Sequence, residues 1–159
     1  MQRHPSTIQV VLADDHPLVR SGIRALLGSI PGVRVMAEVS DGKELLSVLD
    51  SVQPDVVITD ISMPGIDGIT ALAQIRSRHP DVRIIVLSMH DEPEVVRRAV
   101  ASGASAYLRK DANDFELASA LHSVMATGSY ISAGVARLLL EPAEPSIEEQ
   151  LTPRQIEIL

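Results

Sequence analysis

Short apolar runs alternate with amphipathic stretches along most of this chain, and that alternation limits the fold more than any other feature. The run "TIQVVLA" (7–13) reads as a strand. Residues 16–27 read as a helix, with Pro17 in its first turn and Val19, Ile23, Leu26 and Leu27 on one face. "VRVMAEV" (33–39) alternates largely apolar and polar, and Asp41 then caps a helix, with Glu44 three residues on and Leu45, Leu46 and Leu49 facing inward. "DVVITD" (55–60) is a third strand, and Asp67 starts a helix that contains Leu72 and Ile75. "RIIVLS" (83–88) is the fourth strand, followed by a helix over 92–102 with Gly103 as its stop. "SAYLRK" (105–110) is a short fifth strand, and Asn113 caps a helix whose inner face holds Leu117, Leu121 and Val124. Five strand–helix units in succession predict an α/β protein with a parallel sheet covered on both faces.

The strands also imply their order. The first, third and fourth are continuously apolar, as strands buried on both faces must be, whereas the second alternates and the fifth is short, as suits edges. Strands 1, 3 and 4 in the centre with 2 and 5 outside give the order 2-1-3-4-5, a flavodoxin-like (βα)5 three-layer sandwich. Ligands on such sheets sit beyond the C-terminal strand ends, at the switch between strands 1 and 3. Asp14 and Asp15 follow strand 1, Asp60 ends strand 3, Ser88 ends strand 4 and Lys110 ends strand 5. Each alone has a plain explanation: a helix cap, a turn starter, a loop hydroxyl, a solvated lysine. Their joint arrival at one rim does not.

Three carboxylates converging there repel one another by roughly 4 kcal/mol per pair at 4 Å and an effective dielectric near 20. A divalent cation removes the difficulty, and hard oxygen ligands without cysteine or histidine indicate Mg²⁺ or Mn²⁺. Histidine 16, next to the acids, reads as structural, at the entry to the first helix or in solvent. Such a cation takes further oxygens from a phosphate. A carboxylate can also accept a phosphoryl group as an acyl phosphate, with Lys110 and the Ser88 hydroxyl clamping its oxygens.

Composition closes off other classes. The 159 residues carry a net charge of −7, so these residues have no electrostatic reason to grip a phosphate backbone. There is no cysteine, which excludes disulfides and thiolate chemistry and fits a cytoplasmic location. No signal peptide or membrane-length apolar run is visible.

The paired acids "DD", the segment "TDISMPGIDG", the serine of "LSMH" and the lysine of "AYLRKD" together resemble the receiver domain of bacterial two-component response regulators. The resemblance covers residues 7–128, with four motifs in order. That family has the strand order 2-1-3-4-5, so order and resemblance are not independent. "DDHPLVRSGI", and "KD" in place of Lys-Pro, resemble the NarL/FixJ subfamily, whose output domain is of the LuxR type. The resemblance implies that Asp60 is phosphorylated with Mg²⁺ by a sensor histidine kinase. It implies Asp15 as a direct metal ligand, Asp14 as one acting largely through water, and Ser62 as the donor of a backbone carbonyl to the metal. Ser88 resembles the switch hydroxyl, Tyr107 the switch aromatic and Lys110 the phosphate-binding lysine. The resemblance implies that on phosphorylation Ser88 moves toward the phosphoryl group and Tyr107 turns inward into the space it leaves. Met89, Ser62 and His90 flank the site and are candidates for setting the phosphoryl lifetime. The resemblance also allows a homodimer through receiver surfaces.

After residue 128 comes a short helix candidate (133–140), then a Pro/Glu linker reaching residue 150. "LTPRQIEIL" (151–159) has full helix-start signals: Thr152 at the N-cap, Pro153 first in the helix, Gln155 completing a capping box, and Leu151 with Ile156 as a hydrophobic staple. It resembles the opening of a LuxR-type helix-turn-helix domain. The expectation is a chain truncated at that point, whose parent regulates transcription and touches DNA only through the missing domain. The alternatives are a Mg²⁺-dependent aspartyl-phosphate phosphohydrolase and a flavin or nucleotide module. The first lacks a second acid two residues after Asp60, where Ser62 stands, and the second lacks a glycine-rich loop after strand 1.

Overall fold

The computed structural model describes residues 7–140. The elements run β1 (Ile8–Ala13), α1 (Pro17–Gly28), β2 (Val33–Val39), α2 (Gly42–Leu49), β3 (Val56–Thr59), α3 (Gly68–Arg78), β4 (Arg83–Ser88), α4 (Pro93–Ala101), β5 (Ala106–Arg109), α5 (Asp114–Thr127) and α6 (Ala133–Leu140). All strand pairs are parallel, and the sheet order is β2-β1-β3-β4-β5. This is the flavodoxin-like sandwich expected from the strand pattern. The linker and helix-turn-helix readings at 141–150 and 151–159 lie outside the described residues.

Strand side chains alternate between the two faces. Val10, Leu12, Ile58, Ile85 and Leu87 pack against Ile23 and Leu27 of α1 and Leu117, Leu121 and Val124 of α5. Val11, Val57, Ile84 and Val86 face the other way, onto Leu45 and Leu49 of α2, Leu72 and Ile75 of α3, and Val96 and Ala99 of α4. Each fully buried aliphatic side chain contributes about 1.5–3 kcal/mol, so the central strands anchor both layers.

Helix starts follow their caps. Asp41 accepts the Glu44 N–H at 2.7 Å while the Glu44 carboxylate accepts the Ser40 N–H at 2.8 Å. Asp67 accepts the Thr70 N–H and Asn113 the Glu116 N–H. Gly103, with φ +121°, turns the chain out of α4. Gly68, first in α3, sits so close to the backbone of Ile61 that a Cβ there would collide with it.

The strands are shorter than the apolar runs suggested. β3 begins at Val56, just after Asp55, whose carboxylate accepts the Gln9 N–H at 2.9 Å while its own N–H donates to the Gln9 carbonyl. It ends at Thr59, although the Asp60 N–H still bonds the Ala13 carbonyl at 3.1 Å. After α5 the chain returns along β5, where the Tyr130 N–H bonds the Ser105 carbonyl. It then enters α6, which rests on α4: Val135, Leu138 and Leu139 join the apolar layer, and Arg97 donates to the Leu138 carbonyl at 3.1 Å.

Candidate metal and phosphoryl-acceptor site

Three central strand ends and one edge strand deliver the polar rim. The Asp14 N–H bonds the Val39 carbonyl, the Asp60 N–H bonds Ala13, and the Lys110 N–H bonds Ser88, so each side chain leaves its strand with its backbone still held in the ladder. The strands therefore aim these groups, while flexible loops play little part.

Asp14, Asp15 and Asp60 converge as expected, with one ligand atom from each, and one from His16, all within 4.8 Å of one another. Asp14 and Asp60 are buried, with side chains 1% and 3% exposed. The Lys110 ammonium, 9% exposed, stands between them, 2.7 Å from Asp60 Oδ2 and 3.0 Å from Asp14 Oδ2. Burial pulls the Lys110 pKa down, but hydrogen bonds and charge from Asp60 and Asp14 outweigh that and hold it above the usual lysine value. The sequence reading gave Lys110 only to a phosphate, whereas here it is already the counter-ion of two buried carboxylates.

The remaining oxygens differ in a way that bears on a cation. Asp14 Oδ1 accepts the His16 N–H at 2.8 Å, and Asp60 Oδ1 accepts the Ser62 N–H at 3.0 Å. Asp15 Oδ1 is buried and accepts no hydrogen bond. A buried carboxylate oxygen without a donor is costly, and its presence among two further acids fits a hard divalent cation. Asp15 has the open valence of a direct ligand. Each oxygen of Asp14, like each of Asp60, already accepts one charge-assisted or backbone contact and keeps a second lone pair.

Ser88 is fully buried, and its hydroxyl accepts the His90 N–H at 3.0 Å. Tyr107 is also buried, 2% exposed, and its hydroxyl donates to the His90 carbonyl at 2.6 Å. Burial, partly offset by a hydrogen bond with Ser88, raises the Tyr107 pKa. Tyr107 is thus already inward in this structure, whereas the expectation placed that turn after phosphorylation. His90 Nε2 lies 3.1 Å from Ser62 Oγ, so these two flanking residues meet over the rim, while the Met89 side chain is 61% exposed beside them.

Residues 10–122 match the family of the response regulator receiver domain. The chain belongs to that family. Its relatives include named response regulators and solved receiver domains. UvrY of Escherichia coli is 38% identical over 157 residues, covering 96% of this chain and 72% of its own length. The signal receiver domain of the putative response regulator NarL from Mycobacterium tuberculosis matches at 36% identity and a TM-score of 0.73, over 77% of this chain and 99% of that one. RcsB from Salmonella enterica serovar Typhimurium, solved bound to a promoter in the presence of the phosphomimetic BeF3-, matches at 31% identity and a TM-score of 0.78, over 96% of this chain and 79% of that one. Among the described residues, no helix is long and apolar enough to cross a membrane.

Several residues near the receiver's rim escaped the sequence reading. Arg20, one turn into α1, donates to the Asp14 carbonyl at 2.8 Å and lies 3.3 Å from Glu38 on β2. Arg109 on β5 pairs with Asp91 at 2.7 Å and so ties β5 to the chain entering α4. Arg20 follows His16 at helical spacing and was legible in principle. The Arg109 contact, between segments far apart in sequence, carries no local signal.

Proposed function

We propose that this receiver is a phosphorylation switch in which Asp60 accepts a phosphoryl group from the phosphohistidine of a sensor kinase. The observation that carries the reading is the Asp60 carboxylate, buried and held between the Lys110 ammonium and the Ser62 N–H, beside Asp14 and the Asp15 oxygen that accepts no hydrogen bond. In the transfer an Asp60 oxygen forms a bond to phosphorus as the phosphorus–nitrogen bond breaks, and the electron pair leaves on the donor imidazole. Lys110 stays protonated and offers its charge to the incoming phosphoryl oxygens, exchanging part of its bond to Asp60 for them. Asp15, Asp14, Asp60 and the Ser62 carbonyl would hold Mg²⁺ (or Mn²⁺), which supplies charge neutralisation on the phosphoryl oxygens when bound.

Switching then reads through His90. Its N–H rests on Ser88 and its carbonyl on Tyr107. A Ser88 hydroxyl turned to the phosphoryl group releases the His90 N–H, and Tyr107 is bonded to that same residue. Moving a two-state balance from 1:99 to 99:1 needs about 5.5 kcal/mol. Charge-assisted hydrogen bonds at roughly 1.5–3 kcal/mol each supply much of it. Phosphorylation adds charge at the rim and so biases the packing of α4 and β5.

Within this reading residues 7–128 form the receiver, 129–150 a helical extension and linker, and 151–159 the start of a LuxR-type DNA-binding domain. The protein is cytoplasmic and can pair with a second copy, and it contacts DNA only through that further domain. It modifies itself and is not a turnover enzyme. Intact-mass measurement with Mg²⁺ and a small phosphodonor tests this. One phosphoryl group per chain is expected, slowly lost and absent in Asp60→Ala. Turnover of many donor equivalents would indicate the phosphohydrolase instead. Substituting Ser62 or His90 by alanine, or Met89 by alanine, is expected to change the rate of loss. Rates unchanged in all three would remove them as lifetime determinants.

A further inference from the structure

The hydroxyl of Tyr107 ends on a carbonyl, and a carbonyl is only as fixed as the chain that carries it. That carbonyl belongs to His90, in the loop between β4 and α4. The next residue, Asp91, is where Arg109 takes hold, with Nη1 2.7 Å from Asp91 Oδ2. Tyr107 and Arg109 are alternate residues of β5 and so leave the strand on the same side. They hold consecutive residues of one loop. Arg109 is itself opposite Ser88 in the β4–β5 register, and the His90 N–H rests on the Ser88 hydroxyl. Arg109 Nε also lies 3.2 Å from Asp111 Oδ1, so its planar head sits between two acids, one across on the loop and one on its own segment. A loop that moved away from either side chain would leave both.

We infer that Arg109 is a positioning residue for Tyr107: its ion pair with Asp91 holds the His90 carbonyl where the inward tyrosine hydroxyl reaches it. This rests on the reading of Asp60 as the phosphoryl acceptor, with Ser88 and Tyr107 as its switch. The partners of Arg109 are Asp91 and Asp111 rather than the acids of the rim, so it acts on the switch and not on the acceptor. Its exposure sets the size of the effect. Arg109 and Asp91 are 48% and 63% exposed, so the pair is screened by salt and shifts the balance of inward over outward tyrosine by roughly two- to fivefold. A bias of that size tilts the switch without locking it, which leaves phosphorylation to decide the state.

The chain has two tyrosines, so fluorotyrosine labelling gives two fluorine NMR resonances, and Tyr130→Phe assigns them. Asp91→Ala is expected to lower the inward-to-outward ratio of Tyr107 roughly two- to fivefold, and Arg109→Ala in that background to change nothing further. Asp91→Glu keeps the carboxylate and is expected to restore the wild-type ratio. Asp111→Ala removes an equal charge from the strand side only and is expected to leave Tyr107 inward. Raising salt from about 0.1 to about 1 M shortens the Debye length from about 10 to about 3 Å. It is expected to reproduce the Asp91→Ala shift in wild type and to add none in the variant. Phosphorylation by a small phosphodonor, followed by intact mass, is expected to slow by a similar factor in Asp91→Ala. A Tyr107 resonance that Asp91→Ala leaves in place, or that Asp111→Ala moves as far, overturns the inference. A wild type that takes up no phosphoryl group, while Asp91→Ala still shifts Tyr107, overturns the acceptor reading and leaves the positioning role standing.

Discussion

Replacing Lys110 by methionine keeps most of the stem and removes the ammonium that Asp14 and Asp60 share. Both carboxylates are almost wholly buried, and Lys110 approaches them at 3.0 and 2.7 Å. Removing one partner of a buried ion pair costs about 3–5 kcal/mol, because the other charge is left uncompensated. The partly exposed Asp15 side keeps the rim in contact with water, so the lower end, about 3 kcal/mol, is expected. That is a large fraction of the 5–15 kcal/mol typical of a domain. Urea unfolding followed by far-ultraviolet circular dichroism, in chelator, measures it. In an Asp60→Asn background the same substitution is expected to cost at least ~1.5 kcal/mol less, since only Asp14 is then stranded. Mg²⁺ is expected to stabilise Lys110→Met more than wild type, because the cation takes the place of the missing charge; at a hundredfold excess over its dissociation constant, binding contributes ~2.7 kcal/mol. A loss within about 0.5 kcal/mol of zero, or an equal loss in both backgrounds, would refute the reasoning that Lys110 neutralises this pair.

Three further outcomes are expected. The Tyr107 phenol titrates above its ordinary value of 10.0 because it is buried, so its contribution to stability is whole below pH 10 and fades as pH rises through the folded value; alkaline absorbance of wild type against Tyr107→Phe measures this, and an ordinary titration would contradict it. Glu44 titrates below 4.5 because the Ser40 N–H and hydroxyl bind its carboxylate, so its contribution is present above pH 4.5 and fades as pH falls through the folded value; carboxyl resonances followed by NMR show the midpoint, and Glu44→Gln removes the dependence. Gly68→Ala drives a methyl group into the Ile61 backbone, costs about 1–3 kcal/mol in urea unfolding, and shifts the Ser62 amide resonance as the loop gives way; unchanged stability would show that the loop yields freely.

The fold was legible because parallel strands announce their position through burial. Val56, Val57 and Ile58 are all fully buried, whereas β2 has exposed Arg34 and is mostly half-buried. That contrast put β3 in the centre and β2 at the edge. The convergence of Asp14, Asp15 and Asp60 was legible for the same reason, since strand ends in one sheet share a rim. Pairings were not. Lys110 reaching back to Asp14 depends on the separation of side chains from β5 and β1, which no local pattern encodes. Tyr107 bonds a backbone carbonyl, and a carbonyl has no residue type by which to be recognised. His16 looked like a helix-entry residue because its backbone is one, and only the ring position set it beside the acids.

The seat of α6 has a mechanical consequence. Leu138 is gripped through its carbonyl by Arg97 and through its side chain by the layer around Val96, so α6 is fastened to α4 rather than to the sheet. α6 therefore takes its heading from α4. A small lean of α4 is geared directly into the direction of α6, as a pointer is turned by the spindle that carries it.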